Sequence, residues 1–586
     1  MLESIMKVRS LSLVLSLLLT GGAQAAVILE TSSEALRVDA AAAPKSEHWR
    51  SGAKAAAVAP LLQLPALADE RAAAVKRRNE SNGNRRLQIG ISRGIASEAV
   101  DDLPQPQLQY VDGGAVLRLD VASPGAVALR VGLRGKNWPD GVELRVAGAD
   151  GVIHATDAAA ARNQADGDGV FWTAVTEGER QQLELFVPAG IDPAGVALRV
   201  DSLSHLLVSP LTAAHSKALG DSGSCNIDVV CRTGSLGQSF VNAKNAVARM
   251  VFQSGGGSYT CTGTLLNDTD DSSQIPWFFT AHHCIGDQSE ASSLATFWNY
   301  ETPTCGVDQS GPNTQLTGGA QLLYSQGSTD GALLKLNSTP PAGAVFAGWN
   351  ANPLTPPVAV TGIHHPSGDI KKVSIGNNSG TRENVTFDGQ TATSTWKSSW
   401  SQGTTEGGSS GSGLFTIATN GGYQLRGGLF GGSASCSNSG QGESSGNVDV
   451  YSRLDLIFPS IEQYLVPAST GPGPSRDYTG QWDVRTEGGR GISMFQFGNT
   501  LFAVWFVYDS QGRPSWYQLD PQWSATDVAG GRVVKFTGSP WGPTYNPDAR
   551  ALTQVGTFTL NFTSGAQANF TYNVDGVNRS VLLQKY

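Results

Sequence analysis

Charge is scarce in this chain. Only 16% of its 586 residues are Asp, Glu, Lys or Arg, and 41 basic against 50 acidic residues leave a net charge of −9. The acidic excess is spread out and the second half carries no long basic stripe, which argues against nucleic acid as a partner. Cysteines number 6, all between Cys225 and Cys436. No C-x-x-C pair and no H-E-x-x-H occurs, which argues against a structural zinc site and a metalloprotease helix. The apolar run from Leu11 to Leu19 is too short to span a bilayer. What the chain has in quantity is glycine, 70 residues, with 28 prolines, a mixture that favours turn-rich β architecture over helical bundles.

The length exceeds what one hydrophobic core supports, so two to four domains are expected. Lys7 and Arg9 precede the apolar run, and Ala23-Gln24-Ala25 supplies small residues for cleavage. That is the layout of a secretory signal peptide over residues 1–25, with Met6 a second candidate initiator, and it predicts export. An even cysteine count in an exported chain suggests disulfides, and their clustering outlines one stapled domain over residues 220–466. Upstream, residues 26–219 read as a removable pro-segment. It is Ala-rich at first and from about 105 turns into short alternating strands such as Ala115–Val121 and Leu183–Val187, the pattern of a small β-sandwich. A permanently attached β-domain is the other reading. The stapled domain ends on a helix with Pro459 near its first turn and Ile461, Tyr464 and Leu465 on one face. Residues 467–477, including PASTGPGPS, read as a linker, and 478–586 as a small β-rich module with aromatic strands.

The stapled domain has its histidines in two adjacent pairs, His282-His283 and His364-His365. His283 follows the apolar strand Ile275–Phe279 and precedes Cys284, so it is held on a rigid element, as a general base requires. Asp330 leads into a second apolar strand, from where a carboxylate could accept the histidine's other N–H. Glu406-Gly407-Gly408-Ser409-Ser410-Gly411-Ser412-Gly413 is a tight turn whose glycines let two amides converge beside a serine hydroxyl. Gly407-x-Ser409-x-Gly411 formally matches the nucleophile elbow of α/β-hydrolases, but that fold needs a histidine after the serine and none follows His365. Subtilisin order needs an aspartate before the histidine on a parallel α/β scaffold, against the β-rich pattern. Adjacent histidines on a strand point to opposite faces, so each pair offers at most one metal ligand. His, Asp, Ser order on an antiparallel β scaffold remains: the chymotrypsin arrangement, with no metal and no cofactor called for.

Cys225 to Cys231 with the residues around them, Cys261-Thr262-Gly263-Thr264-Leu265, TAHHC at 280–284, Phe297-Trp298-Asn299-Tyr300 and TEGGSSGS at 405–412 together resemble the bacterial lysyl endopeptidases. The resemblance covers residues 220–460. It implies an all-β, chymotrypsin-like double β-barrel. Residue by residue it makes His283 the base, with His282 a non-catalytic neighbour, Asp330 the orienting acid and Ser410 the nucleophile. The Gly408 and Ser410 amides become the oxyanion hole. The disulfides become Cys225–Cys436, Cys231–Cys305 and Cys261–Cys284, and the mature N-terminus falls near Gly220. The implied protein is a secreted, monomeric zymogen whose partners are protein or peptide substrates and its own pro-segment, as folding aid or inhibitor, with no membrane or nucleic acid.

The resemblance breaks at specificity. Counting from the last cysteine, the family's pocket aspartate becomes Ser445, which cannot neutralise a buried ammonium. Phe430, before Gly431 and Gly432, takes the place of the family's pocket histidine, with Phe387 near. Either Glu443 reaches the pocket and restores a preference for Lys or Arg, or the pocket is neutral and favours uncharged side chains. Asp449 is expected on a strand beyond the pocket, and His364 and His365 as structural loop histidines. The rival class is a secreted binding protein with a vestigial protease core, its work done by aromatics of 478–586.

Overall fold

The computed structural model describes residues 29–586 apart from 38–46, 53–57, 82–85, 98–102, 213–221, 271–272, 308, 468–472, 498, 510, 541, 543 and 547–548. The expected signal peptide, the expected cleavage point near Gly220 and the core of the expected linker therefore lie outside the described residues. The described chain divides into two compact units, Leu29–Pro467 and a C-terminal unit ending at Tyr586.

Alternation of β-branched and aromatic residues with small polar ones makes strands the main regular elements of residues 247–451. Val247–Ser254 pairs with Gly257–Leu266, then Trp277–Thr280, Gly331–Leu336 and Ala320–Gln326 follow on one side. Ala295–Trp298 and Thr314–Leu316 follow on the other. This curled sheet wraps Met250, Phe252, Leu265, Phe278 and Leu334, none more than 1% exposed. Six further strands close on themselves in the order Lys372–Phe387, Val358–His364, Gly413–Ile417, Tyr423–Gly432, Asp449–Tyr451 and Gln390–Gln402, which returns to the first. Trp396, Trp400, Leu414, Leu429 and Tyr451 fill this ring. Between the two barrels Phe279, Leu333, Phe415 and Leu425 form a third apolar layer. The result is an all-β double barrel. Cys225 is bonded to Cys436, Cys231 to Cys305 and Cys261 to Cys284.

The closing helix runs Leu454–Leu465, so Pro459 stands in its interior and not in its first turn. The expectation placed the helix start too late. Leu454, Ile457, Phe458, Ile461 and Leu465 form one buried stripe at helical spacing, and its burial between the barrels outweighs the backbone bond that proline cannot make.

Upstream, two sheets face each other across a core of Leu119, Leu129, Val131, Leu133, Leu144, Phe171 and Leu185. One of them continues past residue 206. Its strand Leu87–Gly94 pairs with Gly257–Leu266 of the first barrel, Leu87 opposite Thr260 and Ile91 opposite Gly257, and so extends that barrel's sheet. Arg130 crosses the same boundary. Its guanidinium is fully buried, donates to the Thr173 and Ser293 carbonyls, and is pushed down to about 9 by burial.

The C-terminal unit is a closed barrel of eight antiparallel strands from Gly480–Asp483 to Val577–Lys585. Strand alternation divides its aromatics: Trp482, Trp505, Phe558 and Phe570 fill the inside, while Phe495, Phe497, Phe502, Phe506, Tyr508 and Trp516 are exposed outside.

Ile461 is 0% exposed on the closing helix. Ile461→Ala is expected to cost the Leu29–Pro467 unit about 2–5 kcal/mol in denaturant unfolding, from lost transfer energy and the cavity left behind.

Candidate active site

His283 stands just after the buried strand Trp277–Thr280, and Asp330 immediately before Gly331–Leu336; these strands pair, Thr280 opposite Ala332. Strand pairing alone therefore brings the two side chains together. His283 Nδ1 lies 3.0 Å from Asp330 Oδ2 and 3.1 Å from Oδ1, and the His283 amide donates to Oδ1 at 3.1 Å. Gln390, from the tip of the Lys372–Gln402 hairpin, donates Nε2 to the same Oδ1 at 2.8 Å. Asp330 is 0% exposed with φ +51°, a left-handed conformation that aspartate tolerates better than most residues. Its donors fix the carboxylate so that both oxygens face the imidazole. His282 points elsewhere, with its Nδ1 2.7 Å from Ser325 Oγ.

The turn bearing Ser410 docks on the same strand end. Thr262 donates its amide to the Ser410 carbonyl at 2.8 Å, and Thr280 Oγ1 donates to the Thr262 carbonyl at 2.9 Å. Gly411 has φ +78°, and a Cβ there would lie 2.2 Å from Thr280 Oγ1 and 2.9 Å from the Ala281 amide. Only glycine lets the loop approach this closely. Gly408, at φ +91°, is pressed against the Gly368 amide and the His365 carbonyl. Among the described residues, neither the Gly408 nor the Ser410 amide donates a hydrogen bond, and Ser410 Oγ is buried without a partner. Two open amides beside an unengaged hydroxyl are what an oxyanion site requires.

Two groups brace this loop. Glu406 accepts from the Gly223 amide and Asn226 Nδ2, both 2.9 Å, through Oε1, and from Ser367 Oγ at 2.7 Å through Oε2. His364 is the other. Ser409 Oγ accepts the Glu406 amide and so turns its proton to His364 Nδ1, at 2.9 Å. Ser374 Oγ donates to the Thr404 carbonyl and so accepts from His364 Nε2, at 3.0 Å. The chain runs one way only with a neutral imidazole, and burial, then Lys372, pushes His364 down to about 3. His365, with Nδ1 2.9 Å from the Asp369 carbonyl, is held well below its ordinary value by burial first, then Lys371 and Arg249. Both are structural.

Around the cleft, the Phe430 ring lies 5.9 Å from that of His283 and 5.0 Å from that of Phe387, and Gly431 and Gly432 continue its strand. Glu443 and Ser445 occupy a short turn. Glu443 pairs with Lys397 at 2.9 Å, and Ser379 first and then Lys397 hold its carboxyl low. Ser445 is exposed and donates to the Gly442 carbonyl at 2.6 Å. Asp449 begins the strand Asp449–Tyr451, as expected of a strand residue, and its buried carboxylate accepts from Trp400 Nε1 at 2.6 Å and Thr405 Oγ1 at 2.7 Å. Pairing between strands distant in sequence decides this, and sequence distance had concealed it. Gln390 was missed for the same reason: it is 60 residues from Asp330 and carries no local signal.

Two family models match the chain: "Lysyl endopeptidase N-terminal domain" over residues 63–207 and "Lysyl endopeptidase, C-terminal domain" over residues 219–452. The lysyl endopeptidase of Pseudomonas aeruginosa is 39% identical over 390 residues, covering 65% of this chain and 82% of the relative. Among solved structures, the active form of the Rv3671c protease from M. tuberculosis is similar over 44% of this chain and 94% of its own, at 14% identity and a TM-score of 0.26. The MamO protease domain from Magnetospirillum magneticum is similar over 37% and 96%, at 14% and 0.26.

Neutral His364 titrates at about 3 in the fold against 6.5 ordinarily. Its stabilising contribution is therefore complete above about pH 6.5 and lost as pH falls toward 3, where the unfolded chain binds the extra proton. Unfolding free energy is expected to drop between pH 7 and pH 4. His364→Gln, which hydrogen-bonds without titrating, is expected to shrink that drop; equal pH slopes for the two proteins would contradict the assignment.

Proposed function

The chain belongs to the lysyl endopeptidase family, and we propose that within it this serine endopeptidase is secreted and cleaves peptide bonds through His283, Asp330 and Ser410. The observation that carries this reading is the pairing of His283 Nδ1 with both oxygens of a buried Asp330, with the turn of Ser410 docked on the neighbouring strand through Thr262. The basic and apolar layout of residues 1–25 supports export.

Ser410 Oγ attacks the carbonyl carbon of the scissile bond as His283 Nε2 takes its proton. The carbonyl oxygen becomes an oxyanion and accepts from the Gly408 and Ser410 amides, which need no reorientation at that moment. Collapse breaks the C–N bond, and the leaving amine takes the proton back from His283. Water then repeats the sequence against the acyl-enzyme, freeing the carboxylate product and Ser410. Asp330 stays ionised throughout, accepting the His283 Nδ1 proton and stabilising the imidazolium. Gln390 keeps the carboxylate turned to the ring.

The pro-segment serves the fold. Gly257–Thr260 is paired on both edges only while Leu87–Ile91 lies beside it, so the pro-segment supplies a template for the strand that positions Thr262 against Ser410. Refolding residues 220–466 from denaturant is expected to regain activity with residues 26–219 supplied in trans and to regain little without them.

Ser410→Ala is expected to abolish nearly all peptidase activity, and Asp330→Asn to lower kcat by about 10⁴. Gln390→Leu removes one bond to a charged group and is expected to lower kcat by roughly tenfold with little change in KM. Steady-state kinetics on a peptide substrate checks all three; substantial turnover by Ser410→Ala would sink the assignment.

A further inference from the structure

Residues 344–351 connect the two barrels. Ala347 bridges Leu266 of the first, and Gly348–Trp349 pairs with Gln424–Leu425 of the second. The strand Val345–Phe346 in the same connector pairs with neither barrel. Among the described residues its partner is Glu34–Ala35, Glu34 opposite Phe346, and Glu30 bridges Asn350 further along. The Thr31 amide donates to the Trp349 carbonyl at 2.9 Å and the Leu36 amide to the Ala344 carbonyl at 3.1 Å, while the Leu29 carbonyl accepts the Ala351 amide at 2.6 Å. Main-chain pairing of this kind is how an open strand edge takes up an extended peptide.

Four amide side chains then read residues 29–37. Asn267 Nδ2 donates to the Ser32 carbonyl at 3.0 Å, and Gln424 Nε2 to the Thr31 carbonyl and Glu30 Oε2, both at 3.3 Å. Asn350 donates to the same Oε2. Gln274 Nε2 donates to Glu34 Oε1 at 2.8 Å and to the Ala35 carbonyl at 2.9 Å, while its Oε1 accepts the Arg37 amide at 2.8 Å. Leu29 packs against the apolar layer between the barrels, and Leu36 against the core of the first. A Cβ on Gly348 would lie 2.6 Å from the Thr31 carbonyl oxygen, so glycine there lets the segment seat. These receiving groups all lie in residues 267–274, 344–351 and 424. In sequence, residues 38–60 separate the segment from the first strand of the sandwich, Leu61–Gln63. The groove is therefore complete without the sandwich.

We propose that this groove is a peptide-binding site separate from the proposed catalytic groups. It takes an extended segment with apolar residues at its first and eighth positions and carboxylates at its second and sixth, and residues 29–37 are the occupant held in cis. The site uses none of His283, Asp330 or Ser410, so it stands or falls apart from the catalytic reading.

The test uses the full chain carrying Ser410→Ala, which keeps added peptide intact, with a factor Xa recognition sequence in place of residues 40–43. After the cut, gel filtration removes freed segment and mass spectrometry reports its departure. Binding of residues 29–37 as a fluorescent synthetic peptide is then followed by anisotropy. In the uncut chain the tethered segment competes at an effective concentration on the order of millimolar, so the cut chain is expected to bind the peptide at least tenfold more tightly. Replacing both leucines of the peptide by alanine is expected to weaken binding about tenfold or more, from lost apolar burial. Gly348→Val in the cut chain is expected to abolish binding. The peptide variants leave the chain untouched, so a folding defect cannot imitate their effect. Equal binding by cut and uncut chains, or equal binding of a scrambled peptide, would overturn the proposal. So would a cut chain that has lost its segment and binds no peptide, or a cut segment that excess peptide never displaces.

Discussion

The two barrels approach each other at Gly411 so closely that no Cβ fits there, and the rest of the site depends on it. With no Cβ at that position, the loop carrying Ser410 settles onto Thr280 and Ala281, at the end of the strand that delivers His283. Any side chain there would have to displace backbone atoms and a buried hydroxyl, and every hydrogen bond linking the loop to Thr262 would shift with it. The proposed catalytic groups come from opposite sides of this seam: His283 and Asp330 from the first barrel, Ser410 and its amides from the second, so neither barrel holds all of them. The apolar layer of Phe279, Leu333, Phe415 and Leu425 holds the seam shut, and the closing helix Leu454–Leu465 caps it.

Around the seam the fold buries polar groups and directs each one. The run from the Glu406 amide through Ser409, His364 and Ser374 to the Thr404 carbonyl has a single consistent direction, and it braces the nucleophile loop from beneath. Glu406 ties that loop to Gly223 and Asn226, so the segment around Cys225 and the turn bearing Ser410 share one carboxylate. Such networks stabilise when complete and cost heavily when broken, which makes the geometry all-or-none.

Legibility in the sequence followed the range of the contacts. His283 beside Cys284 at a strand end, and glycines on both sides of Ser410, are local patterns, and their order along the chain excluded rival scaffolds. The alternation that made residues 247–451 strands was equally local, and so was the aromatic alternation of Thr500–Tyr508. What escaped notice depends on register. Gln390 reaches Asp330 across a hairpin, and Asp449 meets Thr405 because Gly432 pairs opposite it, facts that no window of a few residues contains. Pro459 misled because its usual place in a helix is the first turn, whereas here tertiary burial of five apolar residues overrode that preference. The strand Leu87–Gly94 that joins the first barrel was invisible for the same reason as Asp449: an edge strand does not name its partner.

The central claim is that a covalent bond forms at Ser410 during turnover. The most direct measurement is to mix enzyme with an activated ester or peptide substrate, quench with acid within a few milliseconds, and map the acylated peptide by mass spectrometry. The account predicts an initial burst of product and an acyl group on Ser410, with none in Ser410→Ala. Turnover without a burst and without acylation of Ser410, or acylation of a different residue, would contradict it.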